Sequence, residues 1–272
     1  MSRYKIVRDK NKCRILFSDR KLDSYYDEIY GIFEIPIEGF YVAPKTIDEL
    51  KTGKPVKVID LHNNLRQKVE DCFHKVRAAR YSLFLIESEI GGGPSPEEMT
   101  QYSEMIKSGM CPKAELINEV LINETESFIF QVRSNLDIII QLLKHLYSYL
   151  KVGGVDREAL IFGRKLGENT TDLMRSNGNH ELAGFFDKEI NEWIVKLNTL
   201  RNDISHRSGL KGFSCFVYES DSGNVVEPLM PDGEEVRKYC QTVYGKLLDL
   251  YKHIFKDYLI PEVKRISEEP YL

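Results

Sequence analysis

The chain has 272 residues, of which 42% are hydrophobic, and its 38 basic and 42 acidic residues give a formal net charge of −4. This composition can fill a large core and argues against global disorder. The slight acidic surplus argues against a broad, non-specific nucleic-acid surface, although it leaves room for a small local site.

Two further features bear on the compartment. The five cysteines are scattered and form no Cys-x-x-Cys pair, which predicts reduced thiols rather than a disulfide framework or a zinc site. The first residues are charged throughout, unlike a signal peptide, and no uncharged run approaches the ~18 residues of a membrane span. We therefore expect a cytoplasmic protein that makes no membrane contact and needs no metal or cofactor.

Residues 1 to about 60 predict irregular, partly extended structure. In residues 30–44, YGIFEIPIEGFYVAP, aromatic and β-branched residues alternate with Glu, Gly and Pro, which favours short strands. Pro36 and Pro44 restrict such strands to sheet edges, because proline lacks the N–H that a central strand donates.

Helical spacing of apolar residues begins near Asp60 and predicts a helix that ends at the three glycines 91–93. Ser95, Pro96 and Glu98 then predict the start of a second helix. Serine can accept a hydrogen bond as the N-cap, proline suits the first turn, and the glutamate completes a capping box.

The next helices are separated by glycines. Residues 111–154 predict one long helix with an apolar stripe, ended by the two glycines at its C-terminus. A further helix is predicted within 156–178, and another within 180–209, where Gly209 is placed to end it.

After Gly209 the apolar period changes to two, which predicts a β-hairpin near 211–230 between helices. The last long helix is predicted from about Asp232 to Ser267. The sequence thus predicts a mainly α-helical bundle in two parts: an N-terminal region, 1–110, and a helical domain, 111–272, that carries the hairpin.

The stretch TLRNDISHRSG, residues 199–209, places an arginine, an asparagine and a histidine near the end of a predicted helix. Four-residue spacing puts Asn198, Asn202 and His206 on one face, whereas Arg201 lies about 140° round the helix from His206. Both groups reach one point only if the last turn unwinds or the arginine side chain reaches across. Alternatively, two copies in a dimer gather both pairs in one cleft.

These side chains suit cleavage of a phosphodiester in RNA. A histidine can take a proton from a 2′-hydroxyl or give one to the leaving 5′-oxygen. Arg201 can hold the phosphate and balance the charge that builds in the transition state, and Asn202 can orient a phosphate oxygen or the imidazole. Candidates for further RNA contacts are Asn198, Ser205 and Arg207. The simpler alternative is a solvated helix end, because an R-x4-H spacing occurs by chance in many helices.

The segment LRNDISHR, residues 200–207, resembles the signature of the HEPN superfamily (higher eukaryotes and prokaryotes nucleotide-binding). That signature is an arginine, a polar residue that is often asparagine, three variable residues and a histidine, late in a core helix. The resemblance covers about residues 114–268. It implies a helical bundle that dimerises with its motifs facing each other. Arg201 and His206 would then be catalytic, with Asn202 in support.

The resemblance also implies a class of activity and partners. Many family members resemble metal-independent endoribonucleases of toxin–antitoxin pairs, phage defence or RNA processing, so RNA and an antitoxin-like or regulatory protein are the expected partners. The family often has a polar or acidic residue on an earlier helix. Asp137 or Asn135 would fill that role here, although a solvated position explains Asp137 equally well.

Two other readings stay open. A non-catalytic helical interaction module would keep the bundle without cleaving RNA, and a nucleotide- or RNA-binding module would bind without cleaving. Two further features of the sequence favour structural roles. Arg66, Lys68, Lys75, Arg77 and Arg80 favour a solvated helix face over a basic stripe for RNA. Trp193 and Phe185–Phe186 favour core packing over base stacking, because they follow helical spacing.

Overall fold

The computed structural model describes residues 3–9, 12–18, 27–33, 56–108, 113–149, 168–176, 178–207, 209–219 and 225–261. Within them the fold is mainly α-helical, as the sequence predicts. The helices are α1 (Val56–Gly92), α2 (Pro96–Lys107), α3 (Glu119–Tyr149), α4 (Glu168–Ser176), α5 (His180–Glu189), α6 (Val195–Arg207) and α7 (Val236–His253). Residues 27–33 are also helical.

The first two long helices run antiparallel. Near the middle of α1, Lys75 Nζ donates to Gln131 Oε1 at 3.5 Å, and near its end, Asn118 Nδ2 donates to Glu89 Oε2 at 3.0 Å. Later residues of α1 therefore contact earlier residues of the α3 segment, so the two helices run in opposite directions.

Contacts of α7 with its neighbours show the same reversal. On the side of α1, Glu87 contacts Gln241 and Arg80 contacts Tyr244. On the side of α5 and α6, Glu192 contacts Lys246, and Lys196 contacts Glu234 in the turn just before α7. The four long segments α1, α3, α5–α6 and α7 thus form an up-down-up-down bundle.

One hydrophobic core lies between these helices. The predicted apolar stripe of α3 contributes five fully buried side chains: Phe128, Val132, Leu136, Ile139 and Leu143. Burial of each such side chain contributes roughly 1.5–3 kcal/mol. The side chains of Leu146 and Leu150, which are also predicted for this stripe, lie outside the described residues. Helix α1 adds residues from Leu65 to Ile90 to the same core, so the boundary predicted near residue 110 falls between helices that pack together.

The predicted hairpin is present and belongs to a larger sheet. Strands β4 (Phe216–Glu219) and β5 (Val225–Val226) pair antiparallel, and β3 (Lys113–Leu116) pairs antiparallel with the other edge of β4. The prediction of helix from residue 111 was therefore wrong at its start. Asn118 explains the late start, because its Oδ1 accepts from Leu121 N–H at 2.9 Å and caps α3.

The N-terminal region differs from its prediction in part. Strands β1 (Arg3–Asp9) and β2 (Lys12–Ser18) form an antiparallel hairpin, in agreement with an extended start of the chain. Residues 30–33 are helical where strands were predicted, because Ile29 and Phe33 lie one turn apart and both enter the core. Pro36 and Pro44 lie outside the described residues.

The remaining helix boundaries were predicted in part. Helix α1 ends at Gly92, and α2 begins with the predicted capping box. The predicted helix within 156–178 is described over 168–176 only. Residues 232–235 form a turn rather than a helix start, since Gly233 has a φ of +86° and α7 begins at Val236.

Two π-helical turns interrupt the predicted helices, at Ile190–Ile194 between α5 and α6 and at Ile254–Leu259 after α7. Each inserts one extra residue per turn, so the faces before and after it are rotated relative to a continuous α-helix. Within the described part of the chain, no helix combines the length and apolar character of a membrane span.

Candidate functional site

The motif lies on the last two turns of α6. Leu200 and Ile204 are buried on the side of α6 that faces the core, and α6 packs against α3. The helix ends at Arg207, and Gly209 follows with a φ of +127°, which side chains rarely tolerate. The predicted role of Gly209 in ending this helix is therefore confirmed.

Three motif side chains are exposed on the outer face of α6: Asn202, Ser205 and His206. Arg201 is half-buried at the edge of this face. Its Nη1 donates to Asn202 Oδ1 at 3.2 Å, which directs the guanidinium towards the exposed side. We call Arg201, Asn202, Ser205 and His206 the motif surface.

The hydrogen bond between Arg201 and Asn202 bears on the angle between Arg201 and His206. These two residues leave the helix axis about 140° apart, and Asn202 lies one turn before His206 on the exposed side. The arginine side chain extends to Asn202, whose direction lies between those of Arg201 and His206. The helix keeps its α-helical form through Arg207, so the last turn does not unwind.

The Arg201 guanidinium and the His206 imidazole of the motif surface make few contacts. No carboxylate of the described residues lies within ion-pair distance of Arg201, and the His206 imidazole has no hydrogen-bond partner among them. A half-buried cation that lacks a bound counter-charge attracts anions.

Asn198 does not join the motif surface. It is 8% exposed and lies in the interior, although the sequence grouped it with Asn202 and His206. Each four-residue step rotates about 40°, so two steps carry Asn198 about 80° away from His206. The exposed stripe runs instead through Val195, Thr199, Asn202 and His206. The Arg207 side chain lies outside the described residues.

Asp137 and Asn135, the candidates for a polar residue on an earlier helix, make contacts away from the motif surface. Asp137 is exposed and forms an ion pair with Arg133 on its own helix. Asn135 is fully buried: its Oδ1 accepts from the Tyr251 hydroxyl at 2.7 Å, and its Nδ2 donates to the Gln131 carbonyl at 2.8 Å. Among the described contacts, neither residue reaches the motif surface, and Asn135 joins α3 to α7 inside the core.

The acidic residue of α3 that lies beside the motif is Glu126, which sequence reasoning missed. Its Oε1 accepts from Leu210 N–H at 3.2 Å and lies 3.3 Å from where a Cβ on Gly209 would stand. Glu126 therefore holds the chain just after the motif helix. The sequence gives little indication of this contact, because a glutamate beside an apolar stripe is typical of a solvated helix face.

The three-stranded sheet lies at the same end of the bundle as the motif. Cys215, just before β4, contacts both β3 and the start of α3. Its N–H donates to Glu115 Oε1 of β3 at 2.9 Å, and its Sγ accepts from the N–H of Asn118, the cap of α3, at 3.5 Å. The described residues of the sheet leave Asn202 and His206 exposed.

The other candidates of the sequence take structural roles. In the basic segment of α1, the charges are largely paired: Arg66 with Glu70, Lys68 with Asp71 and Arg80 with Glu87. Of the aromatic candidates, Trp193 and Phe186 are buried, and the Phe185 ring packs against His253 with centroids 3.8 Å apart. Among the described residues, no three His, Cys, Asp or Glu side chains are grouped to hold a metal ion.

No family model, no curated protein and no solved structure matches this chain. Function is therefore argued from the motif surface and the bundle that carries it.

Proposed function

We propose that this chain is a HEPN-like endoribonuclease that cleaves RNA without a metal ion. The observation that carries the proposal is the Arg201–Asn202 hydrogen bond on the same helix end as an exposed His206, which has no hydrogen-bond partner among the described residues. The segments α3, α5–α6 and α7, which lie within the span of the resemblance, pack in a helical bundle with this motif at the end of α6, and this supports the proposal.

The chemistry assigns one role to each side chain. His206 takes the proton from a 2′-hydroxyl, and the oxygen attacks the adjacent phosphorus and displaces the 5′-oxygen, which leaves with a proton. Arg201 pairs with the phosphate oxygens and balances their increased charge in the transition state. Asn202 holds the guanidinium in place, and Ser205 offers a further hydrogen bond to the substrate.

The reaction needs a base and an acid, whereas each motif surface supplies one imidazole. A homodimer with a two-fold axis through the motif surfaces brings two imidazoles and two guanidinium groups to one groove. A toxin or phage-defence role, with an antitoxin-like protein partner, accompanies this proposal through the resemblance alone.

Cleavage of single-stranded RNA in EDTA tests the proposal. We expect the wild type to cleave and His206→Ala to lose about 10²–10⁴-fold in rate, the usual contribution of a general acid or base. His180→Ala is the matched control, because His180 is also exposed on a helix but lies far along the chain from the motif. Equal rates for wild type and His206→Ala, or no cleavage by the wild type, would contradict the proposal.

A second candidate function is a non-catalytic interaction module. Ile117 and Val120, 74% and 50% exposed, flank the start of α3 and offer an apolar contact to another protein. This function predicts that the wild type cleaves no RNA, and that His206→Ala leaves partner binding and dimerisation unchanged.

A further inference from the structure

Phe130 is an exposed aromatic residue on the outer side of α3, 38% exposed. The exposed residues of α3 between 121 and 143 are otherwise polar: Asn123, Asp137 and Gln141. Phe130 is thus the one large apolar side chain among the exposed residues of this part of α3, and about two fifths of its surface is open to solvent.

The position of Phe130 along the bundle follows from Glu126. The Glu126 carboxylate contacts Leu210, just past the end of α6. Phe130 lies one turn further along α3, about 6 Å along the axis and about 40° round from Glu126. Because α3 and α6 run antiparallel, one turn forwards on α3 corresponds to one turn backwards from Gly209. That turn is the last of α6, which carries His206.

We propose that Phe130 is a stacking platform for an unpaired nucleobase next to the phosphate that Arg201 holds. The inference rests on the proposed function for the site and adds to it a residue that positions the substrate. Bases of a single strand can turn outwards and stack on an aromatic ring, whereas those of a duplex are stacked on each other.

The surroundings of Phe130 favour a nucleobase over a second copy of the chain. A protein interface normally centres on a contiguous apolar patch, and the exposed neighbours of Phe130 on α3 are polar. Amide and hydroxyl groups, such as those of Asn123 and Ser134, suit the hydrogen-bonding edges of a base while the ring contacts its face. Asp137 adds no free negative charge here, because it is paired with Arg133.

The test measures binding rather than cleavage. A fluorescent single-stranded oligonucleotide with 2′-fluoro in place of 2′-hydroxyl cannot be cleaved by this route and is titrated with each variant in EDTA. We expect Phe130→Ala to weaken binding of the single strand about tenfold, the usual contribution of one stacked base, and Phe130→Trp to restore it. Binding of the matched duplex should be weak and equal for all variants.

Tyr81→Ala is the control, since Tyr81 is an exposed aromatic residue of α1. It should bind the single strand like the wild type. Equal affinity of Phe130→Ala and wild type overturns the inference, as does full rescue by Phe130→Leu. A Phe130→Ala protein that loses its dimer mass in sedimentation also overturns it, because the ring would then belong to an interface between copies.

The two proposals fail separately. If the wild type cleaves RNA and Phe130→Ala binds equally well, the stacking inference falls and the proposed function stands. If Phe130→Ala binds less tightly but the wild type does not cleave, the proposed function falls and the stacking inference stands. A wild type that neither binds nor cleaves the single strand overturns both.

Discussion

At the scale of single residues, Gly209 fixes how the motif helix ends. Its φ of +127° is a conformation that residues with a Cβ rarely adopt. A Cβ there would also approach Glu126 Oε1 to 3.3 Å, the oxygen that accepts from Leu210 N–H. The backbone turn after the motif and its contact with α3 thus depend on the same position.

We expect Gly209→Ala to destabilise the fold by about 1–3 kcal/mol, the usual cost of a residue held in a disfavoured backbone region. Gly184→Ala is the matched control. Gly184 lies within α5 with open space around its Cα, so alanine should stabilise by about 0.5–1 kcal/mol through helix propensity. Urea unfolding measures both changes, and equal midpoints for the two variants would contradict this account of Gly209.

The residue scale also shows which parts of the site the sequence could supply. Arg201, Asn202 and His206 form a short local pattern, so they could be picked out before any fold was known. Glu126 could not, because its contact with Leu210 depends on how α3 passes α6. Asp137 and Asn135 were chosen on polarity alone, which does not distinguish a solvated residue or a buried one from a site residue.

At the scale of elements, the hydrogen bonds at the N-terminus of α2 are an important support of that helix. None of its residues is buried, and its N-terminus has a complete capping box: Ser95 Oγ accepts from Glu98 N–H at 3.2 Å, and Glu98 Oε2 accepts from Ser95 N–H at 2.7 Å. Tyr102 packs, partly buried, against the core, and because the helix buries so little else, we expect its stability to depend strongly on the cap.

We expect Ser95→Ala to raise hydrogen exchange of the α2 amides about fivefold, since loss of an N-cap costs about 1 kcal/mol. Ser88→Ala, at an exposed serine within α1, should leave them unchanged.

The backbone and side-chain hydrogen bonds from Ser95 lower the pKa of Glu98 below 4.5. Its contribution is therefore present above pH 4.5 and is lost as the pH falls through the lower value in the folded protein. Uniform protection at every pH would contradict this assignment.

Elements were predictable where their cause is local. The capping box and the glycines after α1 lie within a few residues of the boundaries that they set. Strand β3 was missed because its partner, β4, follows about 100 residues later, as the pairing of Lys113 with Glu219 shows. The spacing of apolar residues likewise does not indicate the π-helical turn at Ile190–Ile194. This turn rotates the faces of α6 relative to those of α5.

At the scale of the whole molecule, the proposed cleavage requires two chains. Among the side chains that the structure describes, one chain presents one imidazole, that of His206, and one guanidinium, that of Arg201, at this helix end. General acid and general base at one phosphodiester need two such groups, and a two-fold axis at the motif surface is the simplest arrangement that supplies them. The exposed stripe from Val195 to His206 would then face its own copy across a groove wide enough for one RNA strand.

Cross-linking at Ser205 tests this arrangement most directly. Ser205→Cys, in a background with Cys13 and Cys111 replaced by serine, is treated with a short bismaleimide; the thiols of Cys72, Cys215 and Cys240 are buried. Ser88→Cys, exposed on α1, is the control. We predict a covalent dimer for Ser205→Cys and a monomer for Ser88→Cys. A Ser205→Cys protein that stays monomeric, or that cross-links no more than the control, would contradict the shared site.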